Sequence, residues 1–398
     1  MTEKIKRKTW WIYFILWCLY LLQRTLFSEN SVIAQGILVL LIVWSGYHFI
    51  KSFQIVNKPR FFIALDLLLI MFFVYGTILL MGNEYIYNRN GDLVSNYTYL
   101  RNILISLLPI YSFYYYSLIG QIGIIEIKKG TILLLVVAIA SFFQYQTQLS
   151  FFSDSNVGEI TNNQAYSFLF LLPCFMLFDN KVIRYGGMVL CAVFIVLSMK
   201  RGAILIGSIC FILFIIDSYR DSKFSGRFWT ILGSIVVAVL IYKLVIYEYE
   251  TNDYFVYRID QTMEGSSSGR DELVSNLLRI YSDDYSFSQQ LVGSGANATI
   301  KYVSKYAHND WVELLINQGL LGVILYIFYW LSLIKAWRNK NISRNIKSVF
   351  GIIIIIMLLK TVFSMSYTDV GIFGAFALGY FLSLSHMRLN TNYQNLPV

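Results

Sequence analysis

The chain has 398 residues, of which 57% are hydrophobic, 17% aromatic and only 14% charged, with a mean hydropathy of +0.58. A soluble globule of this length carries about 25% charged residues to cover its surface, so that class is excluded. The formal charge of +9 suggests nucleic acid in a soluble protein, but here the basic residues sit at the ends of apolar runs, which points to lipid.

Only four prolines occur, which rules out a Pro-rich linker or tail. The cysteines Cys18, Cys174, Cys191 and Cys210 all lie inside apolar runs with no CxxC or Cys/His spacing. They read as small core hydrophobes, neither disulfides nor metal ligands.

A helix that crosses a hydrocarbon core of about 30 Å needs about 20 mostly apolar residues. In chain order such runs are Trp10–Phe27, Val32–Ile50, Phe61–Met81, Leu100–Ile119, Thr131–Leu149 and Asn163–Phe178. Tyr185–Met199, Gly202–Asp217, Phe228–Tyr247, Asp310–Leu333, Val349–Ser366 and Val370–Ser385 complete twelve expected spans. The fold class is therefore all-α: one polytopic membrane domain over residues 1–398 with about twelve transmembrane helices. Taking Lys4, Lys6, Arg7 and Lys8 as cytoplasmic, the inner connections hold 20 basic residues and the outer ones 8, with four more inside spans. That skew fits the positive-inside rule with both termini in the cytoplasm. No small-residue cleavage site follows the first span, so it does not read as a signal peptide.

One connection is out of proportion. Glu248–Ala307 spans 60 residues and falls on the outer side, where long loops are functional or carry structure of their own. Leu273, Leu277 and Leu278, with Val274 and Tyr281, predict a short amphipathic helix, and Ser268 with Asp271 resembles a capping box at its start. The loop holds 5 basic and 9 acidic residues, so any anion site in it is local, and nucleic acid is not a partner.

Basic residues on the outer side call for a reason. Lys200 and Arg201, in Leu197-Ser-Met-Lys-Arg-Gly-Ala203, sit at the outer junction of two spans. They are either interfacial anchors that snorkel to water or fixed cations for an anionic headgroup such as a lipid-linked phosphate. Arg270 falls at the start of the loop helix, where free N–H groups and the dipole favour an anion; the alternatives are a salt bridge with Asp271 or Glu272, or a solvated side chain. His308, just before the tenth span, has the pKa range for proton transfer or serves as a structural residue, with Asp310 and Glu313 near enough in sequence to orient or replace it. Arg101 begins the fourth span and reads as a snorkelling anchor, with a place in an outward cavity as the alternative. No HExxH, P-loop, GxSxG or GxGxxG-plus-acid pattern occurs, and no loop carries Asp-x-Asp, the usual metal-diphosphate pattern of nucleotide-sugar transferases.

Three of these outer elements stand in a recognisable order. Gly293-Ser-Gly-Ala-Asn297 followed by His308-Asn-Asp-Trp-Val-Glu-Leu-Leu-Ile-Asn-Gln-Gly-Leu-Leu-Gly322 resembles the signature of the O-antigen polymerase and O-antigen ligase superfamily. Leu197-Ser-Met-Lys-Arg-Gly-Ala203 resembles its Ser-x-Ser-Arg-Gly element, with Lys200 in place of the usual Ser, and Ser268-Gly-Arg270 its Ser-Gly-Arg element. The resemblance covers roughly Asn163 to Leu325. It implies a metal-independent, GT-C-like membrane glycosyltransferase with no cofactor, acting on undecaprenyl-diphosphate-linked oligosaccharide outside the bacterial cytoplasmic membrane. Its site would face the periplasm or cell exterior, and its associates in the bilayer would include a chain-length regulator and a flippase. Carried onto this chain, the resemblance gives Arg201 and Arg270 to the diphosphate, with Lys200 as a further contact, and His308 to the acceptor hydroxyl. Asp310, Glu313 and Arg101 become supporting positions.

The leading expectation is a polymerase of O-antigen or capsular repeats, and its nearest rival is a ligase that moves the glycan to an acceptor such as lipid A-core. A transporter or flippase is the alternative of another class. Against it, the two halves of the chain look unrelated and the candidate groups cluster on one side.

Overall fold

Away from water, long apolar stretches can satisfy their backbone only through internal hydrogen bonds, and the chain folds accordingly into helices. The computed structural model describes residues 2–23, 31–55, 57–82, 85–89, 91–153, 162–221, 224–252, 255–257, 259–260, 269–340, 342–368 and 371–387. Phe27 and Val370, two of the expected span limits, and Ser268 of the expected capping box lie outside these residues.

The first half contains α1 (Thr2–Leu21), α2 (Val32–Ser52), α3 (Arg60–Met81), α4 (Asn96–Leu118), α5 (Ile124–Ser153), α6 (Ala165–Cys174) and α7 (Lys181–Leu197). Then come α8 (Arg201–Asp221) and α9 (Phe224–Thr251), three short helices α10 (Arg270–Arg279), α11 (Phe287–Val292) and α12 (Ala298–Val303), and finally α13 (Asp310–Trp337), α14 (Arg344–Phe363) and α15 (Gly371–Met387). Each expected span falls on one of these helices. By length and apolar composition, six of the described helices (α2, α3, α8, α9, α13 and α14) can cross a membrane, and shorter apolar helices occupy Thr9–Leu21, Ala165–Leu177 and Gly371–His386. The molecule is thus an all-α polytopic membrane protein, while the number twelve belongs to the proposal below.

Packing is tightest where α4 runs against α15, with α2 and α3 on its other sides. Gly379 of α15 explains the close approach: a Cβ there would lie 2.7 Å from Phe113 Cβ and 2.7 Å from the Tyr114 amide nitrogen. Small residues at such crossings let backbones meet where apolar burial alone gives no preference for helix over lipid. The core around α4 is aromatic, with Tyr13, Phe14, Phe62, Tyr111 and Phe113 all buried. All four cysteines are buried, as expected of small core residues.

At one end of the bundle a polar network closes the helices. His48 Nδ1 and the Ser112 hydroxyl lie 3.0 Å apart, the Lys51 ammonium donates to Tyr115 at 2.9 Å, and Tyr111 donates to Asp66 Oδ1 at 2.7 Å. Lys58 ion-pairs with Asp66, and burial pushes its ammonium pKa below the ordinary value while Asp66 opposes the shift.

The opposite end carries the loop structure. Between α3 and α4 a hairpin, β1 (Ile86–Tyr87) with β2 (Leu93–Val94), stands where the sequence reading placed only a connection. The Asn88 N–H donates to Asp92 O at 2.9 Å, the Gly91 N–H to Asn88 O at 3.0 Å and the Asp92 N–H to Asn88 Oδ1 at 2.9 Å, and Gly91 takes φ +78°, the left-handed position that glycine supplies. The long loop also differs in detail from expectation. Helix α9 continues to Thr251, past the expected loop start at Glu248, and among the described residues the loop carries α11 and α12 beside the expected amphipathic helix. The expected amphipathic helix is α10: Leu277 is fully buried, with Leu273, Val274 and Tyr281 packed on the same small core, whereas Leu278 is exposed.

Candidate functional site

The loop is fastened to the bundle by a break in α13. Gly319 has φ +64° and ψ −160°, which interrupts the helix in its middle and turns the preceding carbonyls away from their usual partners. The segment Gly293-Ser-Gly295 takes them: Ser294 N–H donates to Ile316 O at 3.1 Å and Gly295 N–H to Asn317 O at 3.0 Å. Such contact needs two glycines. A Cβ on Gly293 would lie 2.3 Å from Asn317 O, and one on Gly319 would lie 2.5 Å from the Gly293 nitrogen. The two glycine-containing stretches singled out in the sequence are therefore two sides of one backbone crossing.

Glu313 completes the fastening. Its Oε1 accepts from Thr299 Oγ1 at 2.6 Å and Asn317 Nδ2 at 2.9 Å, and its Oε2 accepts from the Ala307 N–H at 2.7 Å. Asp310, fully buried, accepts from Tyr326 at 2.6 Å and from the Ser366 and Tyr367 N–H groups at 2.8 and 3.3 Å. Both carboxylates, named as supporting positions, are thus enclosed and engaged in holding α13 to the loop and to the end of α14. Between them Trp311 Nε1 donates to Thr361 Oγ1 at 3.0 Å.

His308 occupies the exposed turn just before this helix, with φ +53°. Histidine is one of the few non-glycine residues enriched in that region. Asn309 then caps α13, its Oδ1 accepting from the Trp311 and Val312 N–H groups at 3.0 and 3.2 Å. A rigid helix start therefore follows the imidazole directly.

The C-terminal end of α14 gathers the cations. Arg270, first residue of α10 as the sequence predicts, is half-buried and donates from Nη1 to Phe363 O at 2.8 Å. A cation on the last carbonyls of a helix is favoured by its dipole. Arg201, half-buried, is the first residue of α8, and its neighbour Gly202 packs on the same residue: a Cβ on Gly202 would lie 3.1 Å from Phe363 Cβ and 3.4 Å from the Tyr166 hydroxyl. Lys200 donates to Asn163 Oδ1 at 2.6 Å, with its ammonium 6.0 Å from the Tyr166 ring centre. The Met199 φ of +52° makes the tight turn between α7 and α8 that brings Lys200 and Arg201 to this point.

Lys360 was missed by the sequence reading. It is fully buried one turn before Phe363, its ammonium 4.5 Å from the Tyr166 ring centre. A lysine inside the apolar run Val349–Ser366 was the available signal, since an ionisable residue within a span marks function by default.

Arg101 lies apart from this group. It sits on the first turns of α4, half-buried, with its guanidinium carbon 5.7 Å from the Tyr97 ring centre and its Nε enclosed without a hydrogen-bond partner. Burial raises the Tyr306 phenol pKa and the Glu313 charge raises it further, while the Arg101 charge opposes both. Arg101 therefore has Tyr97 under its guanidinium and lies within electrostatic reach of Tyr306, two residues before His308.

Fold and site together define a polytopic all-α membrane protein with a cluster of half-buried and buried cations at one end, roofed by a helical loop. Residues 186–327, from within α7 to Ile327 of α13 and including Arg201, Arg270 and His308, match the family model described as O-antigen ligase. Within this stretch the chain is similar to the O-antigen ligase family. No curated protein matches the chain.

Proposed function

We propose that the protein is a glycosyltransferase that joins undecaprenyl-diphosphate-linked oligosaccharide repeats into O-antigen or capsular polysaccharide, on the outer face of the cytoplasmic membrane. The reading has twelve crossings and both termini inside, which sets the loop and the cation cluster outside. The observation that carries it is the approach to Phe363, at the end of α14, of both the Arg270 guanidinium and Gly202, the residue next to Arg201, with Thr361 of the same helix accepting from Trp311 at the start of α13 after His308.

In this reading the lipid stays in the bilayer and its diphosphate enters beneath the loop. Arg270 exchanges its bond to the Phe363 carbonyl for phosphate oxygens, and Arg201 supplies the second guanidinium, with Lys200 beside it. Planar guanidiniums match phosphate geometry and stabilise charge as it develops on the leaving group, taking the role of a divalent cation. An acceptor sugar hydroxyl attacks the anomeric carbon and passes its proton to His308. The bond from that carbon to the diphosphate breaks, and undecaprenyl diphosphate departs. Holding donor and acceptor under one roof supplies proximity.

A ligase that transfers the lipid-linked glycan to a different acceptor shares all of this donor chemistry, and the description of the matched family favours keeping it as the second reading. The test gives purified protein only the lipid-linked repeat. Self-coupling supports the polymerase, and product only on addition of a second acceptor supports the ligase. Arg201→Ala and Arg270→Ala are expected to abolish product with the protein still inserted; wild-type chain lengths in both variants would overturn the diphosphate clamp.

A further inference from the structure

The loop end of the molecule exposes tyrosines outside its expected spans. Tyr85 is 75% exposed, Tyr87 53% and Tyr97 56%. Hairpin geometry sets this pattern: Ile86 is buried and its neighbour Tyr87 is turned outward. The hairpin is tied to the turn that leads to His308, because the Arg89 N–H donates to Ser304 O at 3.0 Å. It also packs on α12. Tyr97 begins α4 one turn before Arg101, in cation–π contact with it, and among the described residues no carboxylate pairs with that guanidinium. Tyr306, half-buried and two residues before His308, lies within electrostatic reach of Arg101.

We infer that Tyr87, Tyr97 and Tyr306, with Arg101, form a glycan-binding subsite that receives the acceptor saccharide beside His308, separate from the cations that face the donor diphosphate. The inference rests on the glycosyltransferase reading above and names the part of the substrate this surface takes. Several things select a saccharide as occupant. Pyranose rings present flat faces of C–H bonds that stack on tyrosine, and their hydroxyls suit a planar guanidinium and phenolic O–H groups. Tyrosine gives large contact area at low entropy cost, with a polar tip that remains hydrated when no ligand is bound. The hairpin is bonded to Ser304, four residues before His308, and Tyr306 lies two residues before it, so a sugar held here is placed on the segment that carries the proposed proton acceptor. Interfacial anchoring is the competing role for exposed tyrosines. It predicts no affinity for a soluble sugar.

The experiment uses full-length protein in nanodiscs. The probe is a ladder of lipid-free oligosaccharides, released by mild acid from the surface polysaccharide of the strain that carries the protein. Saturation-transfer-difference NMR reads which sugar protons approach aromatic rings. Wild type is expected to saturate ring C–H protons, with affinity falling about tenfold in Tyr87→Ala/Tyr97→Ala and in Arg101→Gln. Arg201→Ala is expected to bind the ladder like wild type. Thermal unfolding of the double variant at the wild-type temperature controls for folding, as the exposure of both rings leads one to expect, and Tyr97→Trp is expected to restore binding. No binding by wild type, or unchanged binding in the double variant, would overturn the subsite. Binding of the ladder by a wild type that joins no repeats would sink the glycosyltransferase reading and leave the subsite standing.

Discussion

Replacing Gly319 by alanine tests whether the loop is held by the backbone crossing in α13. The position fails for alanine on two counts. Its φ of +64° with ψ −160° lies in a region essentially restricted to glycine, where a side chain costs about 1–3 kcal/mol. The new Cβ would also stand 2.5 Å from the Gly293 nitrogen and 2.6 Å from the Leu291 carbonyl oxygen, both backbone atoms that no rotamer change can move. Overpacking of that kind adds about 1–3 kcal/mol. A total of about 2–6 kcal/mol is a large share of the roughly 5–15 kcal/mol that holds a domain together, so local release of Gly293–Gly295 from the break is expected before global unfolding. Thermal unfolding in detergent, with limited proteolysis of the loop, reads both effects. Gly36→Ala is the control, since nothing lies within 4 Å of its added Cβ and alanine is a better helix former by about 1 kcal/mol. If Gly319→Ala unfolds at the wild-type temperature and resists protease equally, the crossing is not what holds the loop.

Glu313→Ala strands the Thr299 hydroxyl, the Ala307 N–H and the Asn317 amide, at about 1–3 kcal/mol for each buried donor left without a partner. The midpoint should fall by more than in Glu313→Gln, which keeps the size and part of the bonding; equal midpoints would remove the clamp. At the other end of the bundle, Lys58→Met leaves Asp66 buried without its ion partner and is expected to cost about 3–5 kcal/mol, while Lys58→Met/Asp66→Leu recovers most of the loss. Additive losses in that double variant would contradict a coupled pair. Lys360→Met, measured by product formation with stability as the control, is expected to reduce coupling through loss of a buried cation beside Tyr166; unchanged product would make Lys360 a packing residue.

Much of this was legible in the sequence because it is local. Arg270 opens a helix because the apolar spacing of Leu273 and Leu277 fixes the periodic segment just after it. Helix α8 starts at Arg201, one residue before the expected span. The hairpin was overlooked although Asn90-Gly91 between Ile86-Tyr87 and Leu93-Val94 is a strong turn signal. Other features depend on residues far apart in the chain. Nothing in the spacing of Gly293 and Gly319 says that their backbones touch, or that Asp310 and Glu313 are used up as hydrogen-bond acceptors instead of flanking His308 in the open. Phe363 as the point shared by Arg201–Gly202 and Arg270 is likewise a product of packing. Arg101 reads as an anchor from its position at a helix end; its contact with Tyr97 and its electrostatic reach to Tyr306 come only with the fold.

The central claim is that two guanidiniums hold the donor diphosphate. It is tested most directly by titrating undecaprenyl diphosphate into purified protein with chelator present, and repeating the titration with Arg201→Ala, Arg270→Ala and the double variant. A charge-assisted bond to phosphate contributes about 1.5–3 kcal/mol, so each single variant should weaken binding by about 10- to 150-fold. Equal affinity in all four proteins, or binding by the wild type only after a divalent metal is restored, would contradict the account.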